Sequence, residues 1–484
     1  MSTFSAMRHS PGSVWAGMRS LSRAFGPASL SDTTRALAWI LAIAVVVRVL
    51  FAIGAWLVAT DVTVFHVSDT GTYIAPAREL LTNGTFTRGG RPELVRTPGY
   101  PLLLVPGIWL GRVEATTITL QIVLSVLTVA GVYVLGRRLC ASRRVALVAA
   151  ALYAVEPLSV IYSSMLVTET LFTFLVVWSL VLIVAYTRES RLTALVGGTA
   201  LLTASAYVRP AGYFLPFSLV AVLGGYAALR RSWSVLRDLA LAAASIVVVV
   251  APWQLRNRAL GFHGISAISA ENLYFYSAAG LRAARGHTSL EAAQVAMGYR
   301  NDSVYLALHP DQRAWRPGER FQFMADEGAR EVLADLPRYA PIHVAGMARV
   351  LFSPGVHEVL MLYGLPPVHG GFRDRVRTEG LGNGLIQVWR TNAIAIVLLG
   401  VLGLVLGTMY WLAVRGLVLG EHWRDPATVL VLASVAYFVT IAGGPAGESR
   451  FRHPVMPLVC VLAAAGVAAT ARTQPDQNSS APTS

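Results

Sequence analysis

The order of apolar and polar stretches along the chain predicts a polytopic bundle of helices. Apolar runs fall at Ala36–Thr60, Thr116–Gly136, Val145–Glu156, Ser164–Tyr186, Ala194–Tyr207, Ala211–Leu229, Leu239–Trp253, Ala393–Val414, Ala427–Ile441 and Val455–Ala469. About 20 such residues cross a bilayer as helix, so the pattern predicts roughly ten spans. Only helices or closed barrels satisfy their backbone groups in lipid, and these runs lack the period-two alternation of barrel strands. The fold class expected is therefore an all-α polytopic membrane protein.

The polar stretches between the runs set the orientation. Arginines cluster in short connectors at Arg137/Arg138/Arg143/Arg144, Arg188/Arg191, Arg230/Arg231/Arg237 and Arg415/Arg424. The positive-inside rule puts all of these in the cytosol, with the N-terminus. An even number of crossings then separates neighbouring clusters, provided that Val145–Tyr186 is two spans hinged near Pro157. Three polar regions are left outside the membrane: Asp61–Glu114, Leu255–Arg390 and Ala442–His453. In the first, Tyr73, Ala77 and Leu80 share one face of a short helix that Asn83-Gly84 ends. Thr97 then reads as the N-cap of a second helix with Pro98 in its first turn. This loop reads as short interfacial helices. The long loop, with an amphipathic stretch from Phe321 to Leu336, reads as a mostly helical outer cap. The expected organisation is a basic cytosolic tail (1–34), an N-terminal transmembrane catalytic module (35–254) that includes the outer loop 61–114, an extracytoplasmic cap (255–390), C-terminal transmembrane helices (391–472) and a disordered tail (473–484). The location expected is the plasma membrane.

Composition agrees with the pattern. Of 484 residues 55% are hydrophobic, and the mean hydropathy is +0.55. The net charge is +14, and all 40 Lys+Arg positions are arginine. Nucleic acid is a poor partner for this charge, because so many arginines flank apolar segments where topology demands them. The physical consequence lies elsewhere: arginine grips phosphate through a planar, bidentate fork. Two cysteines, Cys140 and Cys460, make neither a disulfide framework nor a zinc site. No P-loop, no Gly-rich fingerprint after a strand and no HExxH motif occurs, so no nucleotide cofactor is expected.

Candidate chemistry collects on the outer side. Asp69 lies in a loop at the membrane edge, where a carboxylate can serve as a base, a metal ligand, a helix cap or a solvated acid. Glu93 and Arg96 follow it, the latter an anchor to headgroups or a ligand. Glu169 is placed near the outer end of an apolar run, where a carboxylate is costly unless paired or facing a wet cavity. Arg209 and Arg256 stand at outer helix ends, as interfacial anchors or as ligands. Arg450 and Arg452 sit in a short outer loop, against the positive-inside rule, which favours a phosphate clamp. Arg48, near the middle of the first span, faces the bundle or snorkels to the interface, a structural role.

In this order the pieces resemble a GT-C glycosyltransferase of the protein O-mannosyltransferase-like superfamily (glycosyltransferase family 39 and its aminoarabinose-transferase relatives). The residues that carry the resemblance are Asp69 with Tyr73, Arg96-Thr97-Pro98-Gly99-Tyr100-Pro101, Tyr162-Ser163-Ser164 through Thr168-Glu169, Arg209-Pro210, Trp253-Gln254-Leu255-Arg256-Asn257 and Arg450-Phe451-Arg452-His453-Pro454. The resemblance implies a GT-C helical bundle and a polyprenyl-phosphate-linked sugar as donor. It implies a glycan, lipid or protein acceptor and transfer on the extracytoplasmic face. Asp69 takes the catalytic position and Glu169 the second acidic one. Tyr73, Glu93, Arg96, Tyr100, Arg209, Arg256, Arg450 and Arg452 are then candidates for substrate and phosphate binding. A divalent ion, Mg or Mn, is implied near Asp69 and Glu169. The chain departs from the protein mannosyltransferases in having Asp69-Thr70 where they show an Asp-Glu pair. Two other classes suit a polytopic chain: a transporter or flippase for lipid-linked glycans, and a non-catalytic envelope-assembly subunit. The first usually shows repeated halves with polar groups at the midplane, whereas here the polar groups gather at one face.

Overall fold

Helices account for nearly all of the described structure, a computed structural model covering residues 31–59, 61–366, 380–419 and 425–472. Most of the expected basic tail, the C-terminal tail 473–484 and Arg424 lie outside these residues.

The first long helix is α1 (Asp32–Ala59). The polar loop after it folds into α2 (Thr70–Asn83), a two-residue-per-strand hairpin of β1 (Thr87–Arg88) and β2 (Arg91–Pro92), and α3 (Gly99–Trp109). Gly84 takes φ 68° to close α2, the left-handed cap that glycine makes without strain. Thr97 is not the N-cap of α3; Pro98 holds that position. Glycine follows because a Cβ at Gly99 would stand 2.7 Å from the carbonyl oxygen of Tyr207.

The bundle continues with α4 (Val113–Cys140), α5 (Arg143–Ala154), α6 (Pro157–Ser164), α7 (Glu169–Glu189), α8 (Leu192–Ala204), α9 (Leu215–Leu229) and α10 (Trp233–Ala259). The arginine connectors meet at one end of the bundle, where Arg138 pairs with Glu189, Arg188 with Asp425, and the Tyr186 hydroxyl donates to Asp238. Asp69, Glu169 and Arg209 collect at the other.

The cap follows α10. It contains α11 (Ile268–Glu271), a π-helical turn (Asn272–Ala278), α12 (Ala279–Gly286), α13 (Leu290–Ala296), α14 (Asp302–Leu308), α15 (Pro317–Ala334), α16 (Leu336–Phe352) and α17 (Val356–Leu362). An amphipathic helix, α18 (Leu381–Thr391), leads to α19 (Ala393–Leu419), α20 (Pro426–Ile441) and α21 (Met456–Arg472). The chain is thus a multi-pass membrane protein with a mostly helical cap.

Ten full-length spans are not confirmed. Among the described residues seven helices are long and apolar enough to cross, and α5 with α6, bent by 49°, would make an eighth. The bend has a cause: α5 stops at Ala154, and the Glu156 carboxylate caps α6 by accepting from the amides of Leu158 and Ser159, with Pro157 in the first turn. The expected run from Ser164 is interrupted too. Met165 is extended and the Leu166 amide donates to the Phe65 carbonyl, while the Gln121 amide group donates to the carbonyls of Ser163 and Met165. Helix α7 therefore starts only at Glu169. Helices α8 and α20 have 13 and 16 residues. At 1.5 Å per residue they fall short of a bilayer core of about 30 Å.

Packing inside the bundle relies on small residues. A Cβ on Gly416 of α19 would sit 2.1 Å from the carbonyl oxygen of Leu462, and one on Gly466 of α21 the same distance from that of Leu412. Such close approach is how helices associate where lipid offers no hydrophobic drive. Arg48 is fully buried and faces the bundle, donating to the carbonyls of Ala44 and Ala154 and to the hydroxyls of Ser125 and Ser159. Both cysteines are free.

Candidate active site

A cavity of about 1770 Å³ opens between the site end of the bundle and the cap. Asp69, Tyr73, Glu93, Arg96, Glu169, Arg209 and Arg450 all line it. These residues come from the first loop, the start of α7, the turn before α9 and the loop before α21.

Asp69 stands at the N-terminus of α2 without capping it. Both its oxygens are engaged. Oδ1 accepts from Arg96 Nη2 at 2.9 Å, and Oδ2 from Arg450 Nη1 at 3.1 Å. The second bond joins positions 381 residues apart. Burial works to raise the Asp69 carboxyl, but the charges of Arg96 and Arg450 outweigh it and hold the group below the usual carboxylate range.

Arg96 is itself fixed. Its Nε donates to Thr72 Oγ1 and its Nη1 to the Tyr73 hydroxyl, and the guanidinium lies 4.6 Å from the centre of the Tyr73 ring. One donor thus holds Asp69 while two donors and one face pin Arg96 to Thr72 and Tyr73, so Arg96 acts as a fixed support for the carboxylate. Tyr73 packs edge-on against Tyr100, whose hydroxyl donates to Gln121. Tyr100 is fully buried and is not part of the cavity wall.

Glu169 lies in the first turn of α7, where the helix dipole favours a negative charge. Its Oε1 accepts from Arg209 Nη1 at 2.6 Å, and Oε2 from the Thr168 hydroxyl at 3.2 Å. The Phe451 ring joins the two arginine sites: its centre is 4.9 Å from the Arg209 guanidinium and 5.0 Å from that of Arg450. Arg209 donates a single hydrogen bond among the described residues, so most of its five N–H groups remain available. Arg450 also pairs with Glu448, at 2.9 Å.

The other expected site residues hold the frame. Glu93 Oε1 accepts from the amides of Val95 and Arg96, and its Oε2 pairs with Arg88 at 2.7 Å. Arg256 lies 4.4 Å over the Trp253 ring and donates to the carbonyls of Glu93 and Phe86, outside the cavity lining. Arg452 turns away from Arg450. It is buried and donates through Nη1 to the carbonyls of Val350, Leu351 and Ser353, at the C-terminal end of α16. The expected pair of clamping arginines is therefore split, one facing the cavity and one tying the cap to the bundle. In a helical turn, residues two apart point to different sides.

Sequence reasoning gave no site role to Thr72, Glu448 or Phe451. Each lies within two residues of a candidate in the chain, which was their only signal. Glu358 was also missed: it accepts from the Tyr162 hydroxyl at 3.0 Å and from the Ser449 hydroxyl, fixing the residue before Arg450. Nothing in the local sequence around Glu358 marks that role.

The residues do not suit a divalent ion. Asp69 and Glu169 each carry a guanidinium partner, and no group of three or more His, Cys, Asp or Glu side chains gathers among the described residues. Magnesium or calcium would need about six oxygen ligands.

Residues 96–255 match the family model for dolichyl-phosphate-mannose-protein mannosyltransferases. No curated protein matches the chain in sequence. Among solved structures, the oligosaccharyltransferase AglB of Archaeoglobus fulgidus, in complex with an inhibitory peptide and a dolichol-phosphate, aligns at 12% identity and a TM-score of 0.50, covering 89% of this chain and 50% of its own. The apo form of the A. fulgidus oligosaccharyltransferase aligns at 14% identity with the same TM-score and coverage. The chain thus spans about half the length of these relatives. ArnT of Cupriavidus metallidurans bound to undecaprenyl phosphate aligns at 16% identity and a TM-score of 0.37, over 90% of this chain and 78% of its own. The chain therefore has the GT-C fold, and its segment 96–255 is similar to the dolichyl-phosphate-mannose-protein mannosyltransferase family.

Proposed function

We propose that this protein is an inverting membrane glycosyltransferase that moves a sugar from a polyprenyl phosphate to an acceptor hydroxyl. The observation that carries the reading is Asp69, held at the cavity wall between Arg96 and Arg450. The family match and the lipid phosphates in the named complexes support the donor class.

The acceptor oxygen attacks the anomeric carbon while the bond from that carbon to the phosphate oxygen breaks. The electron pair leaves with the lipid phosphate, and the acceptor proton passes to Asp69 as general base. Because its two arginines keep Asp69 ionised, the carboxylate is ready to accept at any neutral pH. Arg450 and Arg209 flank Phe451 and offer N–H groups to the leaving phosphate, whose charge grows in a partly dry site. Glu169 and Glu448 hold those arginines before the donor arrives. The isoprenoid would lie along the apolar cavity wall near Phe214, Tyr437 and Ile441. No step requires a metal ion.

In this reading Asp69 faces the extracytoplasmic side of the plasma membrane and the N-terminus is cytosolic, which the arginine connectors at the opposite end of the bundle support through the positive-inside rule. The acceptor is a glycan, lipid or protein hydroxyl. The test is to incubate the protein in lipid nanodiscs with a panel of polyprenyl-phosphate sugars and measure sugar release or transfer, and the anomeric configuration of the product. Inverted product from one donor is expected. Donor binding without any cleavage across the panel, with lipid movement between leaflets instead, would replace the enzyme by a flippase.

A further inference from the structure

The cap contributes two carboxyl groups to the cavity that the reaction above does not use, the exposed Asp302 and the half-buried Glu271. Asp69, Glu93, Glu169 and Glu448 each meet a guanidinium at 3.1 Å or less. Glu271, which lines the same cavity, has no hydrogen bond or ion pair through its side chain among the described residues. Burial pushes its carboxyl up to about 7; Arg96, Arg88 and Arg300 pull it down, and Glu93 adds to the rise. Arg320, on the packed helix α15, is turned instead to the carbonyls of Gln312 and Arg313.

The backbone that carries Glu271 is rigidly placed. The Ala267 amide donates to the Leu94 carbonyl at 2.8 Å and the Ser266 hydroxyl to the Val95 carbonyl at 2.5 Å, so α11 is tied to the segment that leads into Arg96. Glu271 also opens the π-helical turn Asn272–Ala278, a geometry frequent at functional sites. Helix α15 clamps that turn: a Cβ on Gly328 would stand 2.7 Å from the carbonyl carbon of Leu273.

Around Glu271 the cavity wall is aromatic. Phe275, Tyr276, Tyr299 and Tyr305 line it, and the hydroxyls of Tyr276 and Tyr299 are bonded at 2.8 Å. Aromatic faces beside an unengaged carboxylate suit a saccharide, whose C–H faces pack on rings while its hydroxyls donate to the carboxylate oxygens. A peptide is commonly held by strand addition, and the described sheet is two strands of two residues.

We infer that Glu271 is a positioning residue that binds hydroxyls of a glycan acceptor and so holds that acceptor before Asp69. The inference rests on the glycosyl-transfer reading. Hydroxyls that donate to the carboxylate favour its ionised form, so acceptor binding releases a proton and strengthens as pH rises.

The test measures binding of mannotriose, with a threonine-containing peptide in parallel, to full-length protein in nanodiscs containing undecaprenyl phosphate. With one ionisation near 7, wild-type affinity for the trisaccharide improves about tenfold from pH 6 to pH 8. Glu271→Ala weakens it about tenfold at pH 8. Glu271→Gln, of the same shape, guards against a folding defect and abolishes the pH dependence. Trisaccharide affinity that is unchanged in both variants overturns the inference, as does binding of the peptide alone. Glu271-dependent trisaccharide binding without sugar release from any polyprenyl-phosphate donor upholds the saccharide site and overturns the donor reaction.

Discussion

Replacing Asp69 by asparagine separates a catalytic role from a structural one. The amide keeps the volume but removes the charge that faces two guanidiniums, at 2.9 and 3.1 Å. Two unit charges about 4 Å apart interact by about 4 kcal/mol at an effective dielectric near 20. Much of this is offset by the desolvation that the carboxylate no longer suffers, and neither arginine is orphaned. Arg450 keeps Glu448, and Arg96 keeps Thr72, Tyr73 and the face of the Tyr73 ring. The net stability loss expected is about 1–3 kcal/mol, below that for a buried pair left with one uncompensated charge. The rate, by contrast, should fall by about 10²–10⁴-fold, the range for removing a positioned base. The assay follows transfer from a labelled polyprenyl-phosphate sugar in nanodiscs, with a melting curve on the same sample. Wild-type turnover in a folded Asp69→Asn protein refutes the assignment. So does a loss of turnover that only tracks loss of folded protein.

Arg450→Ala should raise donor KM and lower kcat together, by about 10–10³-fold in kcat/KM, because it removes a phosphate donor from a site that is only partly wet; unchanged kinetics would assign phosphate binding to Arg209 alone. Arg256→Ala should destabilise by about 2–3 kcal/mol, since two carbonyls lose a charged donor and Trp253 its stacked cation, with any activity change following stability; thermal unfolding reads this directly. The depressed Asp69 carboxyl stabilises the fold above the unfolded value near 3.9, and that stability is lost as pH falls through its lower folded value. In Glu271→Gln, which lacks the ionisation near 7, transfer should therefore persist to about pH 4, and an acid limb near neutrality in that variant would contradict this. Glu271 has the opposite sign. Its folded value near 7 lies above the unfolded one, so its stability is present at low pH and lost as pH rises to 7; Glu271→Gln should melt higher than wild type at pH 8. Treatment with EDTA should leave turnover unchanged, as the arginine-paired carboxylates imply.

The general architecture could be read from hydropathy because lipid enforces it: apolar length predicts helices, and arginine clusters predict which ends lie together. The break near Pro157 was legible too, since the proline and Glu156 mark it. The break inside the run expected from Ser164 was not, because it depends on the distant Gln121 side chain gripping the carbonyls of Ser163 and Met165, which hydropathy does not register. The candidate site was legible where chemistry contradicted its setting. Glu169 in an apolar run and Arg450 in a short outer loop were anomalies, and both line the cavity. Arg452 shared the anomaly and turned out to support the cap, because the direction of a side chain depends on local turns that spacing alone leaves undetermined. Glu271 sat in an unremarkable polar loop, and only the folded cap brings it near Arg96.

The junction between α16 and the last loop is tighter than any side chain would allow. A Cβ on Gly346 would meet the Gly444 carbonyl oxygen at 2.1 Å and one on Gly447 the Gly346 oxygen at 2.6 Å, while Arg349 donates to the carbonyls of Gly444, Pro445 and Gly447. Roof and last loop are thereby one piece. The stretch that holds Arg450 against Asp69 is thus seated directly on α16, so under the proposed reaction the arginine's aim depends on contacts in the roof as much as on those in the bundle.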